Sequence, residues 1–312
     1  MAVPSSGTLS LVGIRAEIAN NAYNANATIN SSLKEMSDGT TATINTGNSS
    51  SNRPDGSAPH AMSEFYSYDH DISSFNDNKS FDFDGANDYL SGTGTLAAAG
   101  TMKTSGSVSV WVKLDSMSSN GFICHWAAEE GTDDQILLLY NNAAGKIRGN
   151  VKFGGTANTV DSGSGLENDG SWHHVAFTWD SGSKTSANNI AKIYIDGSLT
   201  DSDAIGNTWG GGEAPAFFSV GRNEIQDSNY FNGHLNDLAL FSDVLTSSEV
   251  SAIYNSGTPK DESSHSGLVA YYHFENYSDG DTSYDNDIEP TENMALTINN
   301  STNIDSSDTP SG

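Results

Sequence analysis

"GSWHHVAFTWD", residues 170–180, decides the fold. Val175, Phe177 and Trp179 recur at every second position, which is the period of one face of a β-strand and not of a helix. Neighbouring side chains on a strand point to opposite faces, so His173 shares the apolar face while His174 points away with Ala176 and Thr178. The two histidines therefore cannot clasp one ion together, and a zinc site needs three or four converging ligands. The stretch reads as a strand through a core.

The same alternation spreads outward from it. In "SVSVWVKL", Val108, Val110, Val112 and Leu114 alternate with Ser109, Trp111 and Lys113. "QILLLYNN" and "KIRGNVKF" form a hairpin pair with "NNAAG" as the turn, and Asp196-Gly197 marks a tight turn after "NIAKIYI". "AFFSVGRN", "GHLNDLALF" and "GLVAYYHFEN" continue the series. One helix interrupts it: in "LTSSEVSAIYNSG", Thr246 and Glu249 have capping-box spacing, Val250, Ile253 and Tyr254 make an apolar stripe, and Gly257 is placed to end it. Many short strands and little helix predict a mainly β chain, an antiparallel β-sandwich jelly roll.

The chain has 312 residues, with 40 acidic against 13 basic residues and a formal net charge of -27. Such a charge repels nucleic acid and anionic lipid, so neither nucleic acid nor membrane is an expected partner. It suits a protein working in salt, and it suits oxygen-ligand cation sites. The single cysteine, Cys124, sits between apolar neighbours in "GFICHW" and reads as a buried thiol. The start has no basic, long apolar signal, and no run reaches about 18 apolar residues.

Residues 1–75 differ from the rest. They are rich in Asn, Ala, Ser and Thr, and their apolar clusters are short, with Leu11, Ile14 and Ile18 on one helical face. They read as too thin to bury a core of their own, and so as an extended arm or a small helical adaptor. Residues 76–312 form the jelly roll, with a C-terminal strand and an acidic tail in which "ALTI" is the strand-like patch.

Taken as an ordered set, "FDFDGANDYLSG", "SVSVWVKLD", "GSWHHVAFTWDSG", "KIYIDGSL", "FSVGRN", "YFNGHLNDLALFSDVLTSSEVSAIYNSG" and "LVAYYHFEN" resemble a laminin-G-like domain of the concanavalin-A-like jelly-roll superfamily, over about residues 79–280. One feature departs from that pattern. "LVAYYHFE" often opens such domains, whereas here it follows the helix, so either the C-terminal segment completes the domain or a strand enters in permuted order. "MAVPSSGTLSLVGIRAEIA", "SSLKEMSDGTTATINT" and "NRPDGSAPHAMSEFYSYDHD" resemble the leader of structural proteins of tailed, particularly marine, bacteriophages. That resemblance implies a virion protein made in the host cytoplasm, docked to other virion proteins through residues 1–75. Several copies in a homo-oligomer would display the jelly roll as a tail fibre or decoration.

The jelly-roll resemblance also implies sites. Domains of this kind often hold calcium at the sandwich edge, on six to eight hard oxygens. Asp84, Asp88 and Asp237 are the candidate ligands, with Asn87 and Asn236 as helpers, and the alternative is that they cap turns. A host-surface glycan would need aromatic platforms in the loops, for which Trp209, Tyr230, Trp126 and Tyr140 are the candidates, with core packing as the alternative. No E-x-D-x-x-E run, G-x-S-x-G elbow, H-E-x-x-H or phosphate-binding glycine loop is written in the chain, so the expected role is non-enzymatic. A purely structural capsid, neck or tail protein without ligand is a second reading, and a polysaccharide-degrading enzyme a third.

Overall fold

The computed structural model describes residues 3–20, 23, 25–26, 29–44, 53–68, 70, 77–92, 102–127, 134–181, 190–206, 217–275, 277–278, 280–285, 287, 295–300, 304–305 and 308–310. The chain divides into two compact units, Met1–Asn76 and Asp77–Gly312.

The first unit is small but has its own core, contrary to the expectation from composition. Helix α1 (Leu11–Asn20) buries Ile14 and Ile18, which meet Val3, Leu9, Met36, Phe65 and Tyr68. Helix α2 (Leu33–Ser37) is started by Ser32, whose side chain accepts from the Glu35 N–H while the Glu35 carboxylate accepts from Ser32 N. The two ends of the segment are drawn together where Val3 N donates to the Tyr68 carbonyl at 2.8 Å. The apolar residues are few, but they come from both ends of the segment and converge on one point.

The second unit is the antiparallel β-sandwich. Its strands are β1 (Ser80–Asp84), β2 (Tyr89–Gly92), β3 (Ser105–Leu114), β4 (Gly121–Ala127), β5 (Gln135–Asn141), β6 (Lys146–Phe153), β7 (Thr156–Asp161) and β8 (His173–Asp180). They continue with β9 (Ile190–Ile195), β10 (Ser198–Ala204), β11 (Phe217–Val220), β12 (Asn232–Phe241), β13 (Leu268–Tyr272), β14 (Ser283–Tyr284), β15 (Leu296–Asn299) and β16 (Ile304–Asp305). Among the described residues, sheet A runs β10-β9-β8-β3-β12-β1-β16 with β13 also beside β12, and sheet B runs β14-β15-β2-β11-β4-β5-β6-β7. The alternating residues of β3 and β8 supply one inner face, and Cys124, Trp126, Leu138, Tyr140, Val151 and Phe153 supply the other. On one side the sheets are tied edge to edge, with Asn158 Nδ2 donating to the Ala204 carbonyl at 2.8 Å. The exposed strand β10 carries Asp201 and Asp203, charges that discourage pairing with another chain's edge.

Helix α3 (Ser247–Tyr254) starts at Thr246 with the capping box in place and buries Val250 and Ile253. Asn255, at φ 47°, takes the left-handed position ahead of Gly257. The departure seen in the sequence is resolved by the C-terminal segment. Strand β13 pairs antiparallel with β12, while β15 joins β2 in sheet B and β16 joins β1 in sheet A. The acidic tail is thus built into both sheets.

The histidine pair splits as the alternation requires. His174 is buried on the outer face of sheet A, its Nε2 at 2.8 Å from Ser109 Oγ and its ring beside Trp111 and Tyr254. Burial lowers it to about 4, so it is neutral. His173, at the strand end opposite Val112 of β3, sits between two carboxylates, with Nδ1 2.9 Å from Asp196 and Nε2 2.9 Å from Asp169. The Asp196 carboxylate foremost, with Asp169 adding, raises it to about 9. Because the folded value lies above the ordinary one, the imidazolium stabilises the fold fully below about pH 6.5, and that stability is lost as the pH rises through about 9. With both carboxylates partly exposed to screening water, the contribution is roughly 1–3 kcal/mol. Melting temperature should fall between pH 6.5 and 9.5, and His173→Gln should flatten that fall; an unchanged slope in the variant would remove His173 as its source.

Candidate functional site

A loop of residues 221–231 folds over the outer face of sheet B. Gly221 opens it at φ 88°, and a Cβ there would lie 2.4 Å from the Phe83 ring. Asn223 Oδ1 accepts from the N–H groups of Ile225 and Gln226, Asn223 N donates to the Ser228 carbonyl at 2.9 Å, and Phe231 returns the chain to the core. Glu224 N donates to Nδ1 of the buried His125 of β4 at 3.1 Å, which fastens the loop to the sheet. This local closure gives the loop a defined shape.

The loop delivers Arg222 and Tyr230 to Tyr89 of β2. The Arg222 guanidinium lies 3.5 Å from the Tyr89 ring centre, and the Tyr89 and Tyr230 rings are 6.3 Å apart at 50°. Arg222 also pairs with Glu224 at 3.0 Å and with Asp227, and the Tyr230 hydroxyl donates to Asp227 at 2.9 Å. Leu90 is in the core, so Tyr89 and Ser91 face outward, opposite Asn299 and Thr297 of β15. Asn299 Nδ2 donates to Ser91 Oγ at 3.2 Å, and Asn300 Nδ2 donates to the Asn87 carbonyl at 3.1 Å. The outcome is two half-buried tyrosines and a stacked guanidinium, ringed by hydroxyls, amides and carboxylates.

Of the three aromatic candidates among the described residues, Tyr230 alone is in this patch. Trp126 is 1% exposed and stacked on Phe218 in the core. Tyr140 is also 1% exposed, its hydroxyl donating to Glu167. Both lie on the inner face of sheet B, where an apolar body next to the opposing sheet has more to gain than a sugar contact. Trp209 lies outside the described residues. Tyr89 and Arg222 are the residues that sequence reasoning missed; the signal available was an aromatic next to a core leucine in "NDYL", which places it on an outward face.

The carboxylate candidates fall into two places. Asp84 accepts from the N–H groups of Ala86, Asn87 and Asp88, and the buried Asp88 accepts from Asp84 N at 3.2 Å. Partial burial works against Asp84, but these donors outweigh it and lower its carboxyl, whereas burial and then the Asp84 charge raise Asp88. Both cap the β1–β2 turn. Asp84 pairs with Asn232, so Asp237, five positions along β12, is about 16 Å away. The three do not share an ion.

Asp237 belongs to a different constellation. Strand β12 runs with β1 up to Leu235 and with β13 from Leu238, and its register with β3 slips between Asn236 and Ala239. The extra residue is a bulge, with Leu235 and Leu238 in the core and Asn236 and Asp237 both turned away from it. Asp237 has φ 49°, a left-handed conformation that disfavours a residue with a Cβ. Asn236 Nδ2 donates to the Asp77 carboxylate and, at 2.7 Å, to the Lys79 carbonyl. The Tyr271 hydroxyl donates to Asp237 Oδ1 at 2.8 Å, and His273 Nε2 is 3.8 Å from the same atom. Asn236 Oδ1 and Asp237 Oδ2 have no partner among the described residues, although Asn236 is 0% and Asp237 6% exposed. Burial, and then the charge of Asp77, hold the Asp237 carboxyl well above the ordinary range. Among the described residues no three His, Cys, Asp or Glu side chains converge as ligands, so the hard-oxygen set here is two carboxylates and an amide oxygen.

The sandwich has counterparts among known proteins. Residues 84–251 match the family model of the concanavalin A-like lectin/glucanases superfamily. A crystal structure of a Bacteroides ovatus protein described as carbohydrate binding superposes with a TM-score of 0.53 at 19% identity, covering 75% of this chain and 61% of that one. The rat protein "Sushi, von Willebrand factor type A, EGF and pentraxin domain-containing protein 1" is 28% identical over 156 residues, 47% of this chain and 4% of that protein. Its mouse counterpart matches to the same extent. This chain therefore spans about one twenty-fifth of the length of these curated relatives.

Proposed function

Because the chain belongs to the concanavalin A-like lectin/glucanases superfamily, we propose that its sandwich is a non-enzymatic carbohydrate-binding module whose ligand lies on Tyr89, Arg222 and Tyr230. The observation that carries this is the cation–π pair joined to a second tyrosine on an outward face. Sugar rings offer C–H faces to aromatic rings and hydroxyls to the surrounding carboxylates and amides, and such amphipathic groups serve where one side is apolar and the other wet. The superposed Bacteroides ovatus protein is described as carbohydrate binding, which agrees with the reading.

The first unit serves in this proposal to dock the chain to a bacteriophage particle, with the sandwich displayed in several copies as a fibre or decoration. Support comes from the leader resemblance and from the unit's separate core. Display in several copies raises effective concentration, so single-site binding in the millimolar range would still hold a host surface. The cluster of Asp77, Asn236 and Asp237 would hold a calcium ion, to which the two unpaired oxygens are suited; the ion would offset the buried negative charge.

The test is binding of the full chain, presented multivalently, to a panel of polysaccharides and oligosaccharides. Binding is expected, and Tyr89→Ala or Tyr230→Ala should weaken it at least about fivefold, since a lost aromatic platform is worth on the order of 1–3 kcal/mol. A folded chain that binds no member of the panel, or variants that bind as the parent does, would overturn the proposal.

A further inference from the structure

We propose that the ligand of the Tyr89–Arg222–Tyr230 patch is an uncharged glycan, and that glycans carrying carboxylate or sulfate groups are excluded from it. This rests on the carbohydrate reading and narrows it to a substrate class. Among the described residues Arg222 is the cation at the patch, and its charge is already engaged. One face of the guanidinium covers Tyr89, Nη2 is 3.0 Å from the Glu224 carboxylate, and Nη1 pairs with Asp227. Two carboxylates against one guanidinium leave the patch negative. The Tyr230 hydroxyl is spent on Asp227 as well, so the donor that could meet an anion is turned toward the protein's own carboxylate.

Among the described residues, the remaining polar groups beside the tyrosines on β2 and β15 are neutral. Ser91, Thr297, Asn299 and Asn300 present hydroxyls and amides, which both donate and accept and so match sugar hydroxyls. Asp84 lies at the neighbouring turn, in hydrogen-bond contact with the backbone N–H of Asn87, whose carbonyl receives Asn300. The whole chain carries a formal charge of -27, so an anionic polymer meets repulsion at long range as well as at the site.

The experiment measures binding of the full chain to a glucan, a galactan and a mannan, and to the carboxymethylated form of each. Two salt concentrations are used, about 0.05 M and about 0.5 M NaCl, between which the Debye length shrinks from about 14 Å to about 4 Å. At least one neutral polymer should bind with an affinity that salt barely changes. Its carboxymethylated form should bind about tenfold or more weakly at low salt, with the gap narrowing at high salt. Tighter binding of the carboxymethylated forms would overturn the neutral-glycan inference while leaving the carbohydrate reading standing. Binding of none of the six polymers would overturn both.

Discussion

Removal of residues 295–312 should abolish the folded sandwich or lower its melting temperature by more than about 10 °C. Leu296 is 0% and Ile298 8% exposed, so the deletion takes two apolar side chains out of the core. Each is worth about 1.5–3 kcal/mol of burial. The deletion also leaves β2 unpaired from Tyr89 to Gly92 on one edge, strips β14 of its partner and removes β16 from β1. Asp308 goes with it, and that carboxylate receives the Trp172 indole N–H at 2.8 Å and pairs with Lys113, while the Asp308 carbonyl accepts from Ser80 Oγ at 2.7 Å. A loss of roughly 3–6 kcal/mol from burial alone is a large fraction of the 5–15 kcal/mol that holds a typical domain together. At about 2–4 °C per kcal/mol for a unit of this size, burial alone lowers the melting temperature by about 6–24 °C, and the lost strand pairing and Asp308 contacts carry the fall past 10 °C. Thermal melts followed by circular dichroism and tryptophan fluorescence measure it. A truncated chain melting within about 2 °C of the parent would show that the tail is an ornament on a sandwich complete without it.

Calcium should raise the melting temperature of the sandwich, and a chelator should reverse the rise. At a free calcium concentration about a hundred times its dissociation constant, binding to the folded state contributes about 2.7 kcal/mol, or about 5–10 °C for a unit of this size. Asp237→Asn should abolish the response. It should also leave the protein in chelator as stable as the parent or more so, because the variant amide carries no charge beside Asp77 and asparagine tolerates the left-handed backbone of this bulge better than most residues. Equal melting temperatures of the parent in millimolar calcium and in chelator would remove calcium from the account. The strained bulge would then need only the buried Asp237 held by Tyr271.

The strands that carry the sandwich were legible because each needs only its own residues to show its face. Val108, Val110 and Val112 of β3, and Val175, Phe177 and Trp179 of β8, alternate cleanly and are all buried. The helix from Ser247 was legible for the same reason, since its capping box and apolar stripe fit within a dozen residues. What escaped the sequence depends on partners far along the chain. Ser91 meets Asn299 at a separation of 208 residues, so neither the outward role of β2 nor the strand that flanks it could be read locally. The bulge at Asn236 and Asp237 exists only as a slip against β3, and "HLNDLALF" by itself alternates well enough to hide it. Strand β4 misled in the opposite direction: its seven residues are all buried, because the loop from Gly221 covers the face that would otherwise be open. That covered face is why His125 is in the interior, and the inner face is why Trp126 is core and not platform. The first unit looked too poor in apolar residues to fold, yet Val3 and Tyr68 bring its two ends onto one cluster.

The most direct test of the central claim is a titration of the full chain, with its tyrosine rings isotopically labelled, with the neutral oligosaccharide that binds best, followed by NMR. The ring signals of Tyr89 and Tyr230, assigned through Tyr89→Phe and Tyr230→Phe, should shift or broaden together and saturate with one dissociation constant, while the buried Tyr140 and Tyr194 stay still. Saturable binding that leaves Tyr89 and Tyr230 unmoved would contradict the account and send the ligand to another face of the sandwich.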